Sequence, residues 1–477
     1  MPARLVSVRV PEWMALLVVA SHPGAAHADP PPAPGVTGAP VPGPPTRDVT
    51  GAPVPGAESG QIRNEEQSPS VGRVVACGAL FIPRAIVWLL AQPIRGVIWT
   101  YDRYDLYDRY YNTFYNRDRT FGIHPSVEYA TGFGLMFGAR LVATDTFGEH
   151  EHLTTGGAYG GTHQATADAW LDSGVRLDPV VLTVGGNFDR YARLPFYGVG
   201  NADRSPRPAM LIDPLTNDTA VKSYYRYQEL RAAVFADWRV LDDLHLIGQG
   251  AITDLQFSAS TREPPIDAVY DPADLVGFEH GPRHLYGQLE LRWDRRRVAR
   301  LPWETTRYTT GWLASGFVGG VRGFDEAHDF VHYGVDLQAF IHFALGPRML
   351  WLRFWGEGVT NELDEIPFTE LPYLGGDFLR GYDFARFRDR VAGLGTAQYI
   401  WDISRYVNAY LFVDAGRVYR SLEDVTLDDL RVGFGGGVEV HTNTDFVVAV
   451  SLASSRDGGL FLTATLDPLW NKVPRWR

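Results

Sequence analysis

From about residue 121 onward, apolar and polar residues alternate one by one, and this period of two most constrains how the chain can fold. Residues 230–240, 285–294 and 333–343 each place aliphatic and aromatic side chains on one face of an extended strand. The opposite faces carry charged residues in mid-strand, such as Arg231 and Asp336. A soluble β-sandwich would also alternate. An apolar face with aromatic residues near its ends, opposite a face with central charges, instead favours a lipid-facing exterior and a wet interior.

Composition narrows the possible classes of protein. The 477 residues contain 44 Lys and Arg against 56 Asp and Glu, and the net charge of −12 argues against a general nucleic-acid binder. A single cysteine excludes a disulfide framework and any multi-cysteine metal site. The sequence has no run of about 18 apolar residues, the length that a membrane-spanning helix needs. Two classes remain: a large soluble β protein and a membrane β-barrel.

The chain before residue 121 has three segments of different composition. Residues 1–28 combine arginines, the apolar run MALLVVA and an Ala-His-Ala motif, which predicts a secretory signal peptide; a short N-terminal helix is the alternative. Residues 29–70 are rich in proline and repeat VTGAPVPG, which predicts a disordered spacer. Residues 71–120 carry aromatic side chains at helical spacing from Tyr104 to Phe114, which predicts a short amphipathic helical segment.

Turn and loop signals between the alternating segments predict sixteen strands. Six short inner turns and a medium inner link at 294–310 alternate with eight longer or glycine-rich outer connections, and the sixth outer connection covers residues 359–390. Short turns on one side and long loops on the other are the arrangement of outer-membrane barrels, and closure removes exposed edge strands. We therefore predict an all-β fold, a 16-stranded antiparallel transmembrane β-barrel over residues 121–470, preceded by the short helical segment. The expected location is the bacterial cell outer membrane.

Four sequence motifs follow one another in the predicted barrel. They are FYGVGN at 196–201, LGG at 374–376 with RGY at 380–382, FVDAG at 412–416 and GFGGGV at 433–438. On these motifs the chain resembles the BamA/TamA bacterial surface antigen outer-membrane protein superfamily over roughly residues 120–470. Most members also carry periplasmic POTRA domains, whose pattern is not visible between residues 29 and 120. The resemblance is therefore to a POTRA-less branch, and it implies protein insertion or translocation at the outer membrane.

The resemblance also implies a functional loop and its partners. In that superfamily the sixth loop folds into the lumen, where its arginine contacts carboxylates on neighbouring strands. Carried over by position, the loop motif consists of Gly375, Gly376, Arg380, Gly381 and Tyr382, and its partners in the barrel wall are Asp414 and Gln398. Asp414 shares the inward face of its strand with Phe412. Gln398 stands where a second acidic residue is usual, so one carboxylate is expected to pair with Arg380. A loop that only plugs the pore is the alternative role.

Catalytic and metal-binding motifs are not evident. The sequence contains no GxSxG, HExxH or P-loop motif, so we do not predict an enzyme, a catalytic residue or a cofactor. His150 and His152 could bind a metal, but their place at a predicted turn favours a solvated surface, and no metal is expected. The expected partners are outer-membrane lipid and unfolded outer-membrane or secreted proteins, with no nucleic acid. A passive or gated outer-membrane channel is the alternative function.

Overall fold

The computed structural model describes the region of alternation and little of the chain before it. The described residues are 8–9, 103–104, 106–130, 134–145, 147–207, 209–216, 219–298, 309–324, 328–343, 348–404, 407–441 and 446–465. The predicted proline-rich spacer and most of the predicted signal peptide lie outside them. No helix in these ranges has the length and hydropathy to cross a membrane.

Sixteen long strands form one antiparallel sheet in which each strand pairs with the next along the chain. Their bounds are β1 Phe121–Ala130, β2 Gly134–Thr144, β3 His152–Tyr159, β4 Gln164–Asp172, β5 Val180–Phe196, β6 Ser223–Leu241, β7 Leu244–Ala259, β8 Arg283–Asp294, β9 Thr309–Gly323, β10 Phe330–His342, β11 Arg348–Val359, β12 Val391–Ser404, β13 Val407–Tyr419, β14 Arg431–His441, β15 Phe446–Ser455 and β16 Phe461–Thr465. The strand number agrees with the sequence prediction. The three longest connections, 197–222, 260–282 and 360–390, lie on the predicted outer side, but 131–133 and 160–163 on that side are shorter than the inner connections 145–151 and 295–308.

Shorter elements precede the sheet or lie in its connections. Two-residue strands occur at Val8–Arg9, Arg297–Val298, Tyr373–Leu374 and Phe387–Arg388, and short 3-10 helices occur at Gly161–His163, Ile266–Ala268, Pro272–Asp274 and Leu363–Glu365. Tyr373–Leu374 pairs with Phe387–Arg388 and forms a small separate hairpin inside the connection between β11 and β12.

The two faces of the sheet have the polarity that the alternation predicts. In β13, Leu411 is 57% exposed on the outer face, whereas Asp414 on the inner face is 1% exposed. In β8, Leu289 and Leu291 are likewise exposed, and Glu290 between them is buried. The exposed face is therefore apolar and the buried face holds the charges, which is the reverse of a soluble protein and is the distribution of a β-barrel in lipid.

The sheet curls so that its long connections reach strands on the opposite side. Asn201, which follows β5, hydrogen-bonds to backbone atoms of Val418 in β13. The predicted closure of the barrel is not present in the described residues, since β1 and β16 do not pair there. β16 is described over five residues only, and the open edge of β1 pairs with Val8–Arg9 instead.

One helix, α1 (Leu106–Phe114), precedes the sheet. Its Tyr110 is fully buried, with its ring 5.9 Å from the ring of His124, a buried residue on the inner face of β1. Tyr115, just after the helix, stacks on the same histidine with ring centroids 6.0 Å apart. The helix therefore packs against the inner face of β1 through aromatic contacts. The rest of the predicted helical segment before residue 103 lies outside the described residues.

Candidate functional site: the lumenal loop and its wall contacts

The sixth outer connection, residues 360–390 between β11 and β12, is the lumenal loop. The small hairpin between Tyr373–Leu374 and Phe387–Arg388 forms its neck, and residues 375–386 form its tip. Leu374, Leu379 and Phe387 are almost completely buried and pack in one apolar cluster with side chains of β11, β12 and β13. Burial of these side chains holds the loop against the inner face of the sheet, because each buried side chain stabilises the packed loop by roughly 1.5–3 kcal/mol relative to leaving it exposed.

Two glycines of the predicted loop motif allow the tip to turn close to other backbone. Gly375 has φ +120°, and a Cβ there would lie 2.1 Å from the carbonyl oxygen of Asp383. Gly381 has φ +95°, and its Cβ would lie 2.3 Å from the carbonyl oxygen of Ser454 in β15. Any other residue at these positions would be strained and would also collide with backbone, so glycine is required on both counts.

A third glycine, on the wall, makes room for the loop arginine. A Cβ at Gly433, the first residue of the GFGGGV motif, would lie 1.7 Å from the carbonyl oxygen of Arg380. The backbone of the loop therefore comes to rest against a strand surface that has no side chain at this point.

Arg380 forms a bidentate ion pair with Asp414 of β13. Its Nε lies 2.7 Å from Oδ2 and its Nη2 lies 2.8 Å from Oδ1, and its backbone N–H donates to Oδ2 at 3.0 Å. Both side chains are almost fully buried. This fork-to-carboxylate geometry satisfies the guanidinium and the carboxylate together, which a buried charge requires.

Gln398, Phe412 and Tyr382 complete the surroundings of the loop tip. Nη1 of Arg380 donates to Oε1 of Gln398 at 2.7 Å, so the amide is a neutral second acceptor. The guanidinium carbon lies 3.5 Å above the centre of the Phe412 ring, a cation–π contact. Tyr382 packs its ring on Phe387, with centroids 5.2 Å apart. The structure thus brings Arg380 together with both named wall residues. The remaining glycine of the motif, Gly376, donates its N–H to the carbonyl oxygen of Tyr382 at 3.1 Å within the loop tip.

The cluster consists of one ion pair surrounded by hydrogen bonds and ring contacts, which hold the loop tip on the wall. Its single cation and single carboxylate neutralise each other. Within the described residues, no group of three His, Cys, Asp or Glu could hold a metal ion. His150 is an exposed side chain whose ring nitrogen lies 3.7 Å from the carboxylate of Asp145, at the turn between β2 and β3.

Sequence reasoning missed several charged contacts inside the sheet. Arg353 of β11 pairs with Asp336 of β10, with both Nε and Nη2 within 3.0 Å of the carboxylate, and its guanidinium also lies over Phe378 of the loop tip. Arg388 in the loop neck donates to the carbonyl oxygen of Phe368 at 2.6 Å. The inward parity of Arg353 and Asp336 was a readable signal, whereas nothing local in the sequence identifies the partner of Arg388.

Comparison with known proteins places the fold. No protein-family model matches the chain, and no curated protein matches it. Its structure is similar to the crystal structure of BamA from Haemophilus ducreyi lacking POTRA domains 1-3, with a TM-score of 0.51 and 14% identity over 72% of this chain and 70% of that one. For CdiB from Acinetobacter baumannii the TM-score is 0.45 and the identity is 12%, over 70% of this chain and 56% of that one. For OccK11 (OpdR) from Pseudomonas aeruginosa the TM-score is 0.31 and the identity is 12%, over 72% of this chain and 83% of that one. The likeness to BamA is one of fold, and the protein has the fold of large outer-membrane β-barrels.

Proposed function

We propose that this protein is an outer-membrane β-barrel, closed between β1 and β16, that assists the insertion or translocation of other proteins and uses the lumenal loop. The observation that carries the proposal is the buried bidentate pair between Arg380 and Asp414. It ties a loop with a glycine-rich tip to the inside of the wall by contacts that can be broken and re-formed. The proposed activity is the one that the resemblance of the loop motif to the BamA/TamA superfamily implies.

The outer face supports a place in a bilayer. Exposed leucines, valines, phenylalanines and tryptophans cover it, including Leu289, Trp293 and Phe354. An exposed apolar surface of this extent is unfavourable in water and is the surface that lipid chains cover. The proposed location is the bacterial outer membrane, and the proposed partners are its lipid and unfolded outer-membrane or secreted proteins.

A passive or gated channel is the second candidate, and the polar wall is the observation that favours it. The packing of the long connections speaks against an open pore. Phe368 of the lumenal loop is buried, with its ring 5.3 Å from Phe196 and 5.2 Å from Tyr225. This apolar core combines residues of β5, β6 and β7 with residues of three connections, among them Val221, Tyr270 and Phe368. An unregulated pore would need those connections to move aside, so it is disfavoured.

Deletion of the gene, followed by quantitative proteomics of the outer membrane, tests the proposal. We expect other β-barrel proteins to be depleted, and we expect recovery with the wild-type chain and with Asp178→Asn but not with Arg380→Ala. Asp178→Asn is a matched control, because it removes an exposed ion pair with Arg239 outside the lumenal loop. Unchanged levels of other barrels, together with altered solute uptake, would replace the assembly proposal with the channel.

A further inference from the structure

The FYGVGN motif lies in residues 196–204, a segment that crosses the interior from β5 to the opposite wall. The side chain of Asn201 donates from Nδ2 to the carbonyl oxygen of Val418 at 2.7 Å and accepts from the N–H of Val418 at 3.3 Å. It therefore satisfies both backbone groups of one wall residue, as a neighbouring strand would. Arg431 of β14 donates to the carbonyl oxygen of Asn201 at 2.5 Å, which fixes the backbone of the segment as well.

The same segment also bonds to residues 386–388, at the C-terminal side of the lumenal loop. The N–H of Gly200 donates to the carbonyl oxygen of Arg388 at 2.7 Å. In return, the buried Arg386 donates from Nη2 to the carbonyl oxygen of Ala202 at 2.6 Å, and its guanidinium lies 5.0 Å from the centre of the Tyr197 ring. The lumenal loop thus rests on the 196–204 segment, and that segment rests on the wall.

Asp383, three residues after Arg380, collects three donors from the connection between β5 and β6. The hydroxyl of Tyr197 donates to its Oδ2 at 2.5 Å, Nζ of Lys222 lies 3.1 Å from the same oxygen, and Arg204 also pairs with it. Burial alone would raise the pKa of Asp383, but the Tyr197 hydrogen bond and the charges of Lys222 and Arg204 lower it below its ordinary value. The carboxylate therefore stays ionised, and its contacts persist, at neutral pH.

We infer that Asp383 and Asn201 are positioning residues for the lumenal loop, and that the 196–204 segment and the loop tip are seated and released together. The loop tip is held on two sides within four residues: Arg380 reaches β13, and Asp383 reaches the connection between β5 and β6. Asp383 bonds to the connection between β5 and β6, and Asn201 bonds to Val418 of β13. We expect their effect on Arg380 to pass through the loop backbone. The inference rests on the proposed function in one respect only: it assumes that the lumenal loop moves.

Hydrogen exchange with mass spectrometry, on the full chain purified in detergent micelles, tests this inference without any assay of protein insertion. The reporter is the peptide covering residues 374–388, whose amides include that of Arg380, bonded to Asp414. We expect Asp383→Ala to speed exchange of this peptide by about tenfold or more, since it removes hydrogen bonds to a charged group. Asn201→Ala should act in the same direction, although it lies outside the loop.

Two further variants separate positioning from general stability. Asp383→Glu keeps the charge and the acceptor and should recover most of the slow exchange. Asp178→Ala removes an exposed carboxylate paired with Arg239 and should leave the peptide unchanged. Far-UV circular dichroism checks that each variant keeps its β structure. The inference is overturned if the peptide exchanges at the wild-type rate in both Asp383→Ala and Asn201→Ala, or if the wall strands speed up as much as the loop. Neither result would bear on whether the protein assists insertion.

Discussion

Breaking the Arg380–Asp414 pair from each side, and then from both sides, is the sharpest test of how the loop is held. Arg380→Ala leaves Asp414 buried without its cation, and Asp414→Asn leaves the guanidinium with a neutral acceptor. The double variant removes both charges together. Because the two side chains are 3% and 1% exposed, water can do little to compensate either single change.

The geometry sets the magnitude of the effect. Removing one partner of a buried, hydrogen-bonded ion pair costs roughly 3–5 kcal/mol. At 1.4 kcal/mol for each factor of ten, this corresponds to roughly a hundredfold to several thousandfold in the opening equilibrium of the loop. Arg380→Ala also loses the contact with the Phe412 ring, so it should be the more severe single variant. The double variant should cost less than the sum of the two, by about 0.5–3 kcal/mol.

Native-state hydrogen exchange of the 374–388 peptide measures the opening free energy for all three variants. Asp168→Asn is the matched control, because Asp168 also forms a buried pair, with Arg140 on β2, outside the loop. It should change exchange near β2 and β4 and leave the loop peptide as it is. Additive free energies for Arg380→Ala and Asp414→Asn would refute the reasoning, since additivity means that the two groups do not hold each other.

Four other outcomes are expected. Arg380→Lys should exchange at a rate between wild type and Arg380→Ala, because an ammonium cannot form the bidentate fork. Gly433→Ala should lower the free energy of unfolding or of loop opening by about 1–3 kcal/mol, measured by the same exchange, whereas Gly287→Ala, which meets open space, should not. The lowered pKa of Asp383 means that its stabilising contribution is complete above the ordinary carboxyl pKa and is lost only as the pH falls through the lowered value. The free energy of loop opening, measured by hydrogen exchange and corrected for intrinsic exchange rates, should therefore be constant from about pH 5 to 8. A change near pH 6 would indicate that a histidine titrates instead. In unboiled gels the protein should show a heat-dependent shift in mobility, and recovery as a soluble periplasmic species would contradict the proposed location.

The strand plan of this protein could be predicted from the sequence because it depends on local patterns. A period of two in residues 285–294 decides which side chains share a face, and Leu289 and Glu290 lie on the exposed and buried faces accordingly. Turn residues between the alternating runs determine where each strand ends. Even the inward direction of Asp414 follows from counting along one strand. The same pattern predicted a wet inward face, whereas the lumenal loop covers that face at Asp414.

The contacts of Asp383 across the interior were decided by the tertiary structure, whereas the partners of Arg380 were expected from the resemblance of the loop motif. Asp383 meets Tyr197 and Lys222, which are 186 and 161 residues away, and no periodicity relates these positions. Their meeting depends on how far the sheet curls and on where a strand lacks a side chain, as at Gly433 beside Arg380. The alternation fixes each side chain relative to its own strand, whereas the curl fixes which strands and connections face one another. The sequence therefore determined the faces of the wall, and only the folded sheet determined that Asp383 of the lumenal loop meets Tyr197 and Lys222.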